Sequence, residues 1–165
     1  MEKKWISLYV ENRSGVLAKV AGLFSGKAYN LDSLTVGPTQ DPTMSRMTIG
    51  VISDEVTFEQ IKKQLNRCVE VIKVIDFTEN FIHKKELLFI KINKCSLDDK
   101  QALFQIAQVF EAKVIDYAKE SLILECSQTE TKNSELIDLI YKSHQDIEVV
   151  RGGSVAIEAL SMSNR

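Results

Sequence analysis

The feature that most limits how this chain can fold is a repeat of order rather than of residues: strand, helix, two strands, helix, strand, written twice. In the first pass, residues 5–10 alternate, with Ile6, Leu8 and Val10 on one face. A helix is expected from about residue 15 to residue 28, carrying Val16, Val20, Leu23 and Phe24 on one stripe and Leu17 at its flank. Residues 31–36 and 46–52 read as strands, the latter with Met47, Ile49 and Val51 on one face. Thr57 and Gln60 have capping-box spacing and open a second helix with Phe58, Ile61, Leu65 and Cys68. Residues 70–77 close the unit as a strand, and the mixed polar stretch 78–85 reads as a short linker.

The order then restarts. Residues 87–92 are strand-like, and Ser96 with Asp99 opens a helix carrying Leu103, Ile106, Ala107 and Phe110. Strands at 114–117 and 122–126 meet in a tight turn near Lys119-Glu120. Leu136, Ile137 and Ile140 mark a last helix, and 147–150 a last strand that Gly152-Gly153 is placed to interrupt. The expected class is α+β: two ferredoxin-like βαββαβ units, residues 1–78 and 79–165, with antiparallel sheets and the helices on one face. Each sheet keeps a second face uncovered. Units this small bury little surface, so that face or a sheet edge is expected to meet a partner, with a second copy the first expectation.

Composition narrows the function. Twenty-one basic and 23 acidic residues are interspersed, which gives no electrostatic footprint for nucleic acid or a membrane surface. No apolar run approaches the roughly 20 residues that span a bilayer, and the first residues run straight into a strand pattern without a signal-peptide core. The cytoplasm is the expected compartment. Cys68, Cys95 and Cys126 lie far apart in apolar patterns and read as buried small hydrophobes, not a disulfide or metal framework. His83 and His144 have no ligand-spaced companions, so no metal is expected. Nucleophile elbow, phosphate loop and zinc-helix motifs are all missing, which points away from catalysis.

Two segments carry chemistry. Glu11-Asn12-Arg13-Ser14-Gly15 is a short strand-to-helix turn. Ser14 is placed to cap the helix, and Gly15 permits close approach. Free N–H groups at a helix start favour a carboxylate, and an Asn12 amide offers a donor and an acceptor. Taken alone, the turn fits an ordinary capped helix better than a ligand seat. The second segment runs through Asn30, Leu31 and Gly37, into a loop holding both prolines, Pro38 and Pro42, and on to Ser45-Arg46-Met47-Thr48. Asn30 also suits a simple helix end.

In combination these residues resemble a family. Residues 10–17, Gly22-Leu23-Phe24, Tyr29 to Val36, Pro38-Thr39, Asp41-Pro42 and Ser45 to Thr48 are similar to the small subunit of acetolactate synthase (acetohydroxyacid synthase), densely over about the first 80 residues. Lys85 to Ile92, Val114-Ile115-Asp116 and Arg151-Gly152-Gly153 resemble its C-terminal domain more loosely. The resemblance implies an N-terminal ACT domain that pairs with a second copy and binds a branched-chain amino acid, valine first, at the dimer interface. Asn12, Gly15, Val16 and Leu17 would hold its polar groups and frame its side chain, with Asn30 and Leu31 supplied by the neighbouring copy and Gly37 nearby. It also implies a non-catalytic regulatory chain that stimulates a large catalytic subunit and confers feedback inhibition. Thiamine diphosphate, magnesium and FAD would belong to that large subunit, with no cofactor in this chain. Gly37 stands where many relatives have Ala, Gly152 where Ser or Thr is usual, and Ala159-Leu160 where Arg-Gly is frequent. A free-standing ACT-type sensor of another enzyme fits the turn equally well, but residues 38–47 favour the small-subunit reading. An RNA-binding module lacks the sheet-face aromatics and basic surface that role needs.

Overall fold

Apolar alternation and helical spacing produce the elements in the expected order. The computed structural model describes residues 2–27, 29–78 and 81–160. The first unit contains β1 (Glu2–Glu11), α1 (Val16–Gly26), β2 (Leu31–Pro38), β3 (Met44–Ser53), α2 (Glu55–Leu65) and β4 (Val71–Asp76). Its sheet order is β2-β3-β1-β4, with β1 antiparallel to both β3 and β4, and β2 antiparallel to β3. Ile6, Leu8 and Val10 of β1 and Met47, Ile49 and Val51 of β3 turn one face to the helices. Val16, Val20 and Phe24 of α1 and Phe58, Ile61 and Leu65 of α2 meet them there. Full burial of each such side chain contributes roughly 1.5–3 kcal/mol. The core therefore sits on one side of the sheet.

The second unit repeats the plan with β5 (Ile82–Ile92), α3 (Leu97–Val109), β6 (Lys113–Tyr117), β7 (Leu122–Gln128), α4 (Glu130–Ser143) and β8 (Ile147–Glu158), in the sheet order β6-β7-β5-β8. Leu88, Ile90 and Ile92 pack with Leu122, Leu124, Leu103, Leu136 and Ile140 in its core. The α+β, twice-ferredoxin-like architecture is as the periodicity requires. By compactness, the first unit comprises residues up to 83 together with those from 155 onward, and the second comprises 84–154. The sequence division at 78/79 assigns the end of the chain to the second half, whereas Ala156 packs with Trp5 and Phe77 of the first unit.

Local chemistry moved several boundaries. The start of α2 is set by Asp54, whose carboxylate accepts the Thr57 N–H at 2.7 Å, so the Thr57/Gln60 spacing lies inside the helix and is not its cap. An acceptor three residues earlier captures that N–H first. Cys68 consequently falls in the turn after α2, half-buried, while Cys95 and Cys126 are buried; burial pushes all three thiols up. The expected linker is shortened because β5 begins at Ile82; Glu79 and Asn80 lie outside the described residues, as does Ala28, the expected end of α1. Gly152-Gly153 does not end the last strand. β8 runs on to Glu158, with Gly153 taking φ 75° inside it.

The expected cap of α3 is present as a full capping box. The Ser96 hydroxyl accepts from the Asp99 N–H, and the Asp99 carboxylate accepts from the Ser96 N–H at 2.8 Å. Ser96→Ala removes one half of that pair and should cost about 1 kcal/mol. Urea unfolding should show this as a lower midpoint at unchanged slope.

Candidate functional site

The Glu11–Gly15 turn is held from below by its neighbours in the sheet. As β1 ends, the Glu11 N–H bonds the Glu70 carbonyl at 3.0 Å and the Asn12 N–H the Thr43 carbonyl at 2.7 Å. The Asn12 side chain completes the clamp, its Nδ2 donating to the Pro42 carbonyl at 2.9 Å. That bond ties the turn to the β2–β3 loop, which is itself knitted by Asp41. The Asp41 carboxylate accepts from the Thr43 hydroxyl at 2.6 Å and the Thr43 N–H at 2.8 Å. These two donors hold its carboxyl below the usual carboxylate range. The proline-bearing loop thus serves as a rigid platform for the turn.

The helix start differs from the expected Ser14 cap. Gly15 is the N-cap residue, in the left-handed region at φ 85°, and no side chain caps the helix. The Gly15 carbonyl begins the helical ladder by accepting from the Lys19 N–H at 3.0 Å. Only a residue without Cβ takes that conformation readily, and here the glycine replaces the hydroxyl cap by bending the chain into the helix. The Val16 N–H turns back to the Arg13 carbonyl at 3.3 Å, and the N–H groups that follow carry the positive end of the helix. Two ion pairs flank them, Arg13 with Glu11 and Lys19 with Glu70. The Lys19 ammonium holds the Glu70 carboxyl below its ordinary value.

The expected site residues divide into two groups by position in the sheet. Gly37 pairs with Arg46 and Pro38 with Ser45, at the end of the sheet where Glu11 pairs with Met44. Asn12, Gly15 and Gly37 therefore share one end. Leu31 pairs with Val51 at the opposite end, about 23 Å away along the strand at ~3.3 Å per residue. Asn30 sits just before it, exposed, with its carbonyl accepting from the Ile52 N–H and its side-chain amide making no hydrogen bond among the described residues. A single copy cannot bring the two groups together. Within the first group, the Val16 side chain is buried in the core and Leu17 is 42% exposed, so Leu17 alone is placed to frame a ligand side chain.

Some contributors escaped the sequence reading. Thr43 and Glu70 support the turn through backbone carbonyls, which leave no mark in residue type, as does the carbonyl of the loop's Pro42. At Gly37 φ is not positive and a Cβ would meet nothing within 4 Å, so an Ala there would fit. At Gly152 a Cβ would make ordinary contact with the Leu87 carbonyl at 3.5 Å. No cluster of His, Cys, Asp and Glu able to hold a metal occurs among the described residues, and no helix there is long and apolar enough to cross a membrane.

Comparison with known proteins covers nearly the whole chain. Residues 6–73 match the model of the AHAS small subunit-like ACT domain, and residues 85–160 that of the small subunit of acetolactate synthase. A probable acetolactate synthase small subunit from Archaeoglobus fulgidus is 39% identical over 94% of this chain and 96% of its own. The acetolactate synthase isozyme 3 small subunit of Escherichia coli is 34% identical over 94% of each. The crystal structure of the acetolactate synthase small subunit from Thermotoga maritima superposes with a TM-score of 0.88 at 34% identity, over 98% of this chain and 100% of that one. With both halves matched in order and the fold shared throughout, the chain belongs to the acetolactate synthase small-subunit family.

Proposed function

We propose that this chain is the regulatory partner of a catalytic acetolactate synthase subunit and binds a branched-chain amino acid, valine foremost, between two copies of its first unit. As a small-subunit chain it is not the catalytic subunit. The observation that carries the effector reading is the opposite placement of the two residue groups along β2. β2 is an edge strand with unpaired ladder groups on its outer side. Antiparallel pairing of two β2 strands about a two-fold axis near Leu34 sets Leu31 of each copy against Gly37 of the other. The Asn30 amide of one copy then approaches the Gly15 helix start of its partner.

Such a site suits a zwitterion. The helix N–H groups take the carboxylate. With Nδ2 committed to Pro42, Asn12 offers Oδ1, an acceptor for the ammonium. Leu17 covers the aliphatic side chain. Because the ligand spans two copies, it favours the paired geometry over any other, and that difference is what a coupled catalytic subunit senses. Mixing the chain with its cognate large subunit should raise the rate of acetolactate formation, and valine should lower it again. Unchanged rate with no co-elution would sink the regulatory reading; valine binding without co-elution would indicate a free-standing sensor.

A further inference from the structure

The face of the first unit's sheet that points away from its helices carries a second, unassigned site. Cross-strand register sets Arg46, Tyr9 and Lys73 in one row across β3, β1 and β4. They line a cleft of about 660 Å3 together with Met44, Ile75 and Ile157 of the same unit. That volume is of the size that holds small ligands.

Arg46 is held in place with donors to spare. Its Nε–H donates to the Ser7 hydroxyl at 2.8 Å, and its guanidinium lies 5.3 Å from the Tyr9 ring centre. Ser7 itself is fully buried, so this anchor is fixed. Four N–H donors remain, and among the described residues Arg46 has no carboxylate in ion-pair reach. Lys73 also lacks one. Glu158 is the one carboxylate on the wall and already has a partner. A guanidinium already held in place has lost its ordering cost before a ligand arrives.

We infer that this cleft binds a short aliphatic carboxylate without an ammonium group, a branched fatty or 2-oxo acid. Arg46 and Lys73 take the carboxylate, and Met44, Ile75 and Ile157 take the chain. An amino acid fits less well, because its ammonium would face two cations, Arg46 and Lys73. The site is separate from the Gly15 turn and does not depend on the effector reading.

Trp5, the chain's single tryptophan, shares a packed cluster with Ile75 and reports on the cleft. Titrating the full chain with 4-methylpentanoate should give a saturable change in Trp5 fluorescence, unaffected by excess valine. Arg46→Gln should weaken that binding about tenfold or more, and the exposed Lys73→Gln severalfold, with Arg46→Lys restoring part of the loss. The neutral isostere 4-methylpentan-1-ol should not saturate. No saturable response, equal affinity in Lys73→Gln and the parent chain, or displacement by valine would each overturn the assignment. A chain that fails to bind valine yet passes this titration separates the two sites cleanly.

Discussion

Gly15→Asp should abolish valine binding, while Gly15→Asn should weaken it only modestly. Both substitutions place a side chain at φ 85°, where nothing lies within 4 Å of a Cβ but the backbone conformation itself is unfavourable. Asn and Asp bear that conformation better than other residues, at a shared cost of about 1 kcal/mol. The two variants therefore differ mainly in charge. A carboxylate at the helix start faces the ligand's own carboxylate, and like charges juxtaposed in a binding site cost several kcal/mol, a loss on the order of a hundredfold. Calorimetric titration with valine reads the difference directly. Equal losses in both variants would make backbone strain the cause and move the carboxylate seat elsewhere. On the proposed reading, stimulation of the large subunit should survive in both, since the changes act on the effector's seat.

The largest expected effect on stability lies in that second unit, at Arg151. Its guanidinium reaches the Glu86 carboxylate through Nε at 3.0 Å and Nη2 at 2.8 Å, and also contacts the Ser134 hydroxyl. The Glu86 side chain is only 5% exposed, and Asn133 donates to it at 3.0 Å. Arg151→Ala takes the guanidinium away from a buried carboxylate and should destabilise the unit by about 3 kcal/mol. Replacing both members, Glu86→Leu with Arg151→Met, should recover most of that loss, because no buried charge is left unpaired. Denaturant unfolding of the two single variants and the double closes the cycle. A double variant as unstable as Arg151→Ala would mean that packing, rather than the unpaired charge, sets the cost.

The two predictions also separate what residue patterns reveal from what they hide. Helix and strand identities were readable because core residues recur at the spacing each element demands: Ile6, Leu8 and Val10 by twos, Val16, Val20 and Phe24 by fours. Ends were less readable. β1, β3 and β8 all run beyond their apolar cores, since ladder hydrogen bonds extend a strand irrespective of side-chain type. The Ser14 cap failed for a related reason: hydroxyl capping and a left-handed glycine are alternative solutions to the same helix start, and adjacent Ser and Gly do not say which is used.

The residues of the Glu11–Gly15 turn, and the repeat that contains it, were thus written in the chain, because periodicity and turn chemistry act over a few neighbours. Their arrangement into a site was not. Asn12 meets Pro42 across 30 residues, and Asn30 lies at the far end of the sheet from Gly15, distances that only strand order and register convert into contact or separation. The same register built the row of Arg46, Tyr9 and Lys73 from three different strands. Side-chain chemistry is local information, but which side chains face one another is set by which strands pair, and that is decided when the whole sheet closes over its core.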